Sequence, residues 1–406
     1  MGIPGLLEQL KSIVQKRHVG SFKGLRVAVD ASCWLHRGSF SCSRELALGA
    51  GTEKYVAFFM KMVDLLRNAG VHEILIVFDG MPLPSKSDTN EKRRESRKSN
   101  LELARCAEEK GDSAAAQKHY QRGISVTQDM VQRVIAELQR NSVLYMVSPY
   151  ESDAQLAFMS KSGLVDVIIS EDSDTLVYGC RQVFLKMDKE GNGDLIERDH
   201  LGKNESLSFA NWTDDQFKLF CCLAGCDYMP KIAGCGIKKA HKLAATQKTL
   251  SRVISHLMLS NAAKDFDAHM AAQLECAMMT FKHQTIYNPL TEGTEPLTPL
   301  AYLSRNNRVS RVDVAANPPD LAYLGPQLDP AYARLHAAGN VVTHGVKHSR
   351  EGVSTGHSGE SAGVTGGAGG AGGAGGARGA GGAGAPFTPG VRDVACLYGI
   401  CLHCFA

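Results

Sequence analysis

Carboxylates close five separate apolar runs of this sequence. "VAVD" stops on Asp30 and "IVFD" on Asp79; "VSPYESD" carries Glu151 and Asp153, "IISEDSD" carries Asp172 and Asp174, and "FKLFCCLAGCD" ends on Asp227. Seven such groups cannot share a small volume as bare charges, because mutual repulsion would raise their pKa values or push the chain apart. A cation belongs among them. The candidate ligands are all oxygen donors, which points to a hard ion, Mg²⁺ or Mn²⁺, rather than zinc. Two ions about 4 Å apart, bridged by some of the acids, would form the clamp that holds attacking and leaving oxygens in phosphodiester cleavage. The competing explanation is local: one Asp after a strand is ordinarily the N-cap of the next helix, and "SEDSD" could simply open one. Five segments ending alike, none with a matched run of Lys or Arg beside it, favour the metal.

The acids need a frame that brings them to one edge. Apolar, β-branched runs at 25–30, 74–79, 143–151, 165–170 and 183–188 read as buried strands, and between them 52–70 and 127–141 carry helical periodicity. Strand and helix in alternation predict an α/β fold with a mostly parallel central sheet flanked by helices. In such sheets the ligand site lies beyond the carboxyl ends of the strands, where these acids fall.

Two stretches break the alternation. From Gly80 to Gly123 a Pro-containing loop, "GMPLPSK", leads into a charged segment that predicts a helical insertion; within it Lys86, Lys92, Arg93, Arg94, Arg97 and Lys98 face only three acids over residues 86–98. After Asp227, "PKIAGCGIKKAHKL" predicts a helix-turn-helix element with a glycine turn at Gly234 and Gly236, followed by Lys238 and Lys239. By themselves, both basic runs could be solvated helix faces.

Bulk composition bounds the rest. In 406 residues, 45 Lys plus Arg stand against 42 Asp plus Glu, so net charge neither demands nor excludes nucleic acid, and any such case must be local. Twelve cysteines without framework spacing, and no secretory leader, favour free thiols in a reducing compartment. No apolar run approaches membrane-spanning length, so no membrane partner is expected. From 345 to 406 the signals vanish into a Gly/Ala tract, expected to be a disordered tail; at its end Cys396, Cys401, His403 and Cys404 match no standard zinc module.

Taken together, "MGIPGLL", "VAVDASCWLHRG", "VFDGMPLPSK", "YESDAQLAF", "SEDSDTLVYGC", "FLKMDKEGNG" and "LAGCDYMPKIAGCGIKKA" resemble the structure-specific 5′ nuclease superfamily that includes flap endonuclease, over roughly residues 1 to 340. The resemblance implies a PIN-like nuclease core. Its parts would be an N-terminal nuclease region at 1–99, a helical arch at 80–123, an internal nuclease region at 140–230 and a helix-two-turn-helix DNA-binding element at 226–250. It further implies that Asp30, Asp79, Glu151, Asp153, Asp172, Asp174 and Asp227 hold two Mg²⁺ ions, with Mn²⁺ as a substitute. Lys86 and Arg93 match the basic pair that reaches the scissile phosphate, where fixed cations would offset developing charge. His36 matches a residue near the displaced terminal nucleotide, and Gly2 a glycine packed beside the site. Arg94 and Arg97 on the arch, and Gly234, Cys235, Gly236, Lys238 and Lys239 at the glycine turn, would contact DNA, with a K⁺ ion possible at that turn. Cys235, Ala233 and Pro230 depart from the family's usual residues there, which puts the strength of duplex anchoring in question.

The expected function is a Mg²⁺-dependent 5′→3′ double-stranded DNA exonuclease with 5′ flap endonuclease activity, nuclear, monomeric, and working beside other DNA-repair proteins at 5′ ends, nicks and flaps. Asp153, the "SCWLH" stretch and overall similarity favour the exonuclease branch, and no glutamine-led, aromatic-ended clamp-binding motif is present. The alternatives are a replication flap endonuclease and a catalytically silent DNA-binding scaffold; loss of a core acid would signal the latter, and none is lost. "DKEGNGDLIERD" (188–199) nearly fits a calcium loop, but its strand-like flanks predict a hairpin closed by "GNG" instead.

Overall fold

A computed structural model describes residues 2–260, 266–300 and 321–340. Seven strands form one sheet: β1 (Gln15–His18), β2 (Arg26–Asp30), β3 (Glu73–Phe78), β4 (Leu144–Val147), β5 (Val167–Ile169), β6 (Gln182–Leu185) and β7 (Asn192–Glu197), in the order β1-β7-β6-β5-β2-β3-β4. The five central strands run parallel, while β7 pairs antiparallel with both β6 and β1. The chain leaves β2 toward β3 and β4 on one side and returns to β5 and β6 on the other, so the order reverses at β2. At such a switch point the crossovers diverge and open a crevice.

Burial on both faces explains the continuous apolar runs. Ala28, Leu75, Val77, Met146, Ile168 and Val183 feed one core, with the helices Ser152–Lys161, Asp214–Ala224 and Ala268–His283 packed over them. Their alternates Val27, Val29, Ile74, Ile76, Phe78, Val147, Val167 and Ile169 feed the other, under the helices Ala31–Ser39, Lys54–Asn68 and Gln128–Arg140. Period-two alternation thus survives within strands that read as uniformly apolar.

The edge strand β1 escapes sequence reading, because Gln15, Lys16, Arg17 and His18 have no apolar alternation; backbone pairing to β7 and an ion pair from Lys16 to Asp194 across it hold the strand. The β6–β7 hairpin resolves the calcium question. Asp188 Oδ1 accepts the Glu190 and Asn192 N–H groups at 3.0 and 2.8 Å, so this carboxylate closes a turn. The insertion is two packed helices, Ser87–Glu109 and Ser113–Gly123, and Asp227 is followed by a loop and the helix Ile237–Gln247. Strands β8 (Thr285–Asn288) and β9 (Gly293–Pro296) form a separate hairpin, and a last helix spans Pro330–Ala337. Among the described residues no helix is long and apolar enough to cross a membrane. The tail from 345, with Cys396, Cys401, His403 and Cys404, lies outside the described residues.

One charged cluster works against the fold. Arg198 and the buried Lys218 both donate to Asp214, and burial followed by the Lys218 charge pushes the neighbouring Lys161 down to about 8. Between pH 8 and its ordinary 10.5 the unfolded chain therefore binds more protons than the folded one at this residue, and stability rises with pH. Lys161→Met is expected to raise Tm at pH 7. The gain should be full below pH 8, shrink as pH climbs toward 10.5 and vanish above it, as thermal denaturation at pH 7, 9 and 10 would record.

Candidate active site

The sheet's topology carries six of the seven acids to one end. Asp30 ends β2, Asp79 follows β3, Glu151 and Asp153 follow β4, and Asp172 and Asp174 follow β5. The seventh, Asp227, comes just beyond the helix Asp214–Ala224, whose tight N-terminal capping box between Thr213 and Gln216 sets its direction. Asp153 is raised well above the usual carboxylate range, first by burial and then by the charges of Asp172, Asp30 and Asp174. Asp174 is raised likewise by burial and Asp172, and Asp30 is pushed up to about 7 by burial and Asp79. Glu171, which shares the Asp172 loop, turns away and pairs with Arg37 at 3.4 Å.

The seven acids are not equivalent, as the sequence reading had them. Asp30 is enclosed by protein donors: its Oδ1 accepts from the Ser32 N–H at 3.0 Å and the Ser152 hydroxyl at 3.4 Å, and its Oδ2 from the Cys33 thiol at 3.0 Å and the Ser170 hydroxyl at 2.9 Å. It caps the helix Ala31–Ser39, so the capping alternative describes its contacts. Asp79 accepts from the Ser32 hydroxyl and, at 2.8 Å, from the Ser152 N–H. Glu151 accepts from the Tyr228 hydroxyl at 2.6 Å, which Tyr178 and Gln284 back up in a buried chain. In contrast, Asp153 Oδ1 and Asp174 Oδ1 are buried with no hydrogen-bond partner.

Two cations meet this edge from the insertion. Lys86 Nζ lies 2.7 Å from Glu151 Oε1 and 3.2 Å from Asp227 Oδ2, and Arg93 Nη2 lies 2.7 Å from the same Asp227 oxygen. The Thr89 hydroxyl donates to the Asp227 carbonyl at 2.7 Å, tying the start of the long helix to the acid's own backbone. Burial alone would lower the Lys86 pKa, but Glu151, Asp227 and Asp153 outweigh it and hold the ammonium protonated. With these side chains so engaged, no three His, Cys, Asp or Glu groups among the described residues already stand as a ligand cage. The donor set still fits a hard divalent ion: it is all oxygen, densely anionic, and leaves two buried carboxylate oxygens unpartnered, each costly unless something binds it.

The remaining sequence candidates distribute unevenly. Gly2 has φ of +89°, and a Cβ there would lie 2.3 Å from Asp172 Oδ1 and 2.2 Å from the Ser173 hydroxyl, so only glycine allows the N-terminus to pack behind Asp172. His36 is held below its usual pKa by burial, within the electrostatic reach of Asp79, Arg97 and Arg93. Arg97 is half-buried beside Arg93, whereas Arg94 is exposed and pairs with Glu91 at 2.7 Å. Gly234 and Gly236 are open to solvent, with Lys238 exposed on the next helical turn and Lys239 half-buried. Cys235 is a correction: its thiol is buried and its N–H donates to the Ile232 carbonyl at 3.1 Å, so neither is free to meet a phosphate.

Sequence reasoning missed the residues that hold the acids. Ser32, Cys33, Ser152 and Ser170 all lie within three positions of an acid in "DASC", "ESD" and "SEDSD", and that proximity is the signal that could have found them. Tyr228 follows Asp227 directly and places its ring 5.8 Å under the Lys86 ammonium.

A switch-point crevice lined by acids, under a cationic helical pair, defines the class as a nuclease-type α/β fold of the PIN-like kind. Residues 1–100 match the XPG N-terminal domain and residues 142–227 the XPG I-region. Exonuclease 1 of Xenopus laevis is 39% identical over 345 residues, covering 84% of this chain and 45% of that protein; exonuclease 1 of Arabidopsis thaliana is 41% identical over 292 residues, covering 72% and 39%. This chain spans less than half the length of these two relatives. The DNA damage-inducible protein DIN7 of Saccharomyces cerevisiae is 31% identical over 315 residues, covering 77% of this chain and 73% of that one. Among solved structures, the catalytic core of Rad2 in complex with DNA substrate superimposes with a TM-score of 0.50 at 18% identity, covering 84% of this chain and 90% of that one, and shares the fold. The chain belongs to the XPG family of 5′ nucleases, in which its similarity runs to the exonuclease 1 proteins.

Proposed function

We propose that this protein is a divalent-metal-dependent nuclease that enters duplex DNA at a 5′ end, nick or flap and releases short products 5′→3′, serving nuclear DNA repair. The observation that carries the reading is the meeting of Lys86 and Arg93 with Glu151 and Asp227 at an edge where Asp153 and Asp174 keep unpartnered buried oxygens. The exonuclease 1 names of its relatives support an exonuclease.

Asp153, Asp174 and Asp172 are the residues best placed to hold Mg²⁺ or Mn²⁺, with Glu151 and Asp227 at the rim and Asp30 and Asp79 orienting the turns. Two such ions, when bound, would supply an activated water and neutralise charge on the phosphate. Lys86 and Arg93 present positive charge to the non-bridging phosphate oxygens, and the Tyr228 hydroxyl keeps Glu151 oriented. The two insertion helices act as the arch over the 5′ end, with Arg94 and Arg97 along its strand-facing side. Gly234, Gly236, Lys238 and Lys239 anchor the duplex backbone beside a K⁺ ion.

The test is Mg²⁺-dependent cleavage of 5′-labelled recessed, nicked and flapped duplexes by the full chain. Short 5′ products from the recessed end, lost on chelation, are the expected result. Preference for the flap would move the assignment to flap endonuclease, and DNA binding without cleavage at any Mg²⁺ or Mn²⁺ concentration would overturn the nuclease reading.

A further inference from the structure

The turns that carry Asp79 and Glu151 are held from behind by a part of the chain nearly two hundred residues away. Gly80 N–H donates to the Tyr150 carbonyl at 2.6 Å and Met81 N–H to the Pro149 carbonyl at 3.0 Å. The Ser148 hydroxyl stands at hydrogen-bond distance, 2.7 Å, from the carbonyls of both Phe78 and Tyr150, and Ser152 N–H donates to Asp79 Oδ1. The two turns therefore form one zipped unit, and whatever fixes it fixes both acids. Its crossing point has no room to spare: a Cβ on Gly80 would lie 1.8 Å from the Ser148 carbonyl oxygen and 2.8 Å from His336 Nε2.

His336 belongs to the helix Pro330–Ala337 and is 2% exposed. Its Nε2 lies 2.9 Å from the Ser148 carbonyl oxygen, which can only accept, so Nε2 carries the hydrogen. Nδ1 is buried without a partner, so the ring makes one hydrogen bond and aims it at this carbonyl. The segment bearing it is anchored to the same strands: the Tyr150 hydroxyl donates to the Pro326 carbonyl at 2.8 Å, and the Tyr145 hydroxyl to the Ala338 carbonyl at 2.9 Å.

We propose that His336 is a positioning residue that, through the Ser148 carbonyl, holds the 79–81 and 148–152 turns in the register that aims Asp79 and Glu151 into the crevice. The packing role stands on these contacts; its effect on catalysis rests on the nuclease reading above. A carbonyl left buried without its donor would turn toward another partner, and the following residues Pro149 to Glu151 would turn with it.

His336→Phe keeps the ring and removes the donor, while His336→Gln keeps a side-chain N–H at similar reach. Hydrogen exchange on the full chain should run about 10-fold faster in the Phe variant at 79–81 and 148–152, with β2 and β5 amides unchanged, and the Gln variant should restore most of the protection. On a recessed duplex, kcat is expected to fall about 10-fold in the Phe variant with KM within twofold, and Mn²⁺ affinity read by electron paramagnetic resonance should weaken alongside it. Unchanged exchange at the two turns, or equal impairment in Phe and Gln, overturns the proposal. Faster exchange in the Phe variant, with a wild type that neither binds Mn²⁺ nor cuts DNA, would uphold the positioning and sink the nuclease reading. If the Phe variant does not fold, His336→Asn, too short to reach Ser148, repeats the exchange test.

Discussion

Asp174→Asn is expected to lower Mg²⁺-dependent cleavage by at least about 10³-fold while leaving the protein more stable in metal-free buffer. Asp174 is 2% exposed, its Oδ1 has no partner, and burial together with Asp172 raises its carboxyl well above the usual range. An isosteric amide removes an uncompensated buried charge from a crowd of like charges, so the metal-free Tm should rise by about 2 °C or more. Added Mg²⁺ should do the reverse. It should stabilise the wild type, by about 2.7 kcal/mol at a hundredfold excess over Kd, and stabilise the variant far less. Thermal denaturation with and without Mg²⁺, beside single-turnover cleavage, reads both effects. A variant that cuts like wild type would show that Asp174 holds no essential ion.

Lys86→Met should act in the opposite direction on stability and in the same direction on rate. Its ammonium bridges Glu151 and Asp227 where both are largely shielded, with 11% of the lysine side chain and 13% of the glutamate exposed. Removing the cation leaves Glu151 with the Tyr228 hydroxyl and no ion pair, and Asp227 with Arg93 alone, at a cost of about 3 kcal/mol. Loss of a fixed charge at the phosphate should lower kcat by about 10²-fold with KM nearly unchanged, since the interaction strengthens as charge develops. Lys86→Arg is expected to recover the stability better than the rate, because a planar fork can pair with both carboxylates but cannot place a point charge at the same spot. Equal recovery of both would assign Lys86 a purely structural role.

The central frame was legible because it rests on local regularities. β-branched runs bounded by helical periodicity predicted β2 to β6 in place, and the helical insertion after Gly80 announced itself by charge and a Pro-containing loop. The seven acids were legible for a related reason: a parallel sheet places successive strand ends together, so a repeated strand-then-acid pattern is a statement about space. Strand β1 was not legible, since its polar residues are held by backbone pairing to β7 and by an ion pair from Lys16 to Asp194, neither of which leaves an apolar alternation in the sequence. Cys235 was misjudged because a motif position says nothing about whether an amide is already bonded.

By itself, then, the sequence determined which residue types stand at the strand ends and that their combined charge requires a cation. Only the tertiary structure decided how they divide the work. Asp30 is enclosed by four donors, Asp79 and Glu151 are tethered, and Asp153 and Asp174 are left with open oxygens, because those donors come from Ser32, Cys33, Ser152, Ser170, Tyr228 and Lys86 on different elements. Hydrogen bonds between segments far apart in the chain leave no periodic trace in it. They depend on where each side chain points once the sheet has closed, as His336 does in reaching Ser148 across 188 positions.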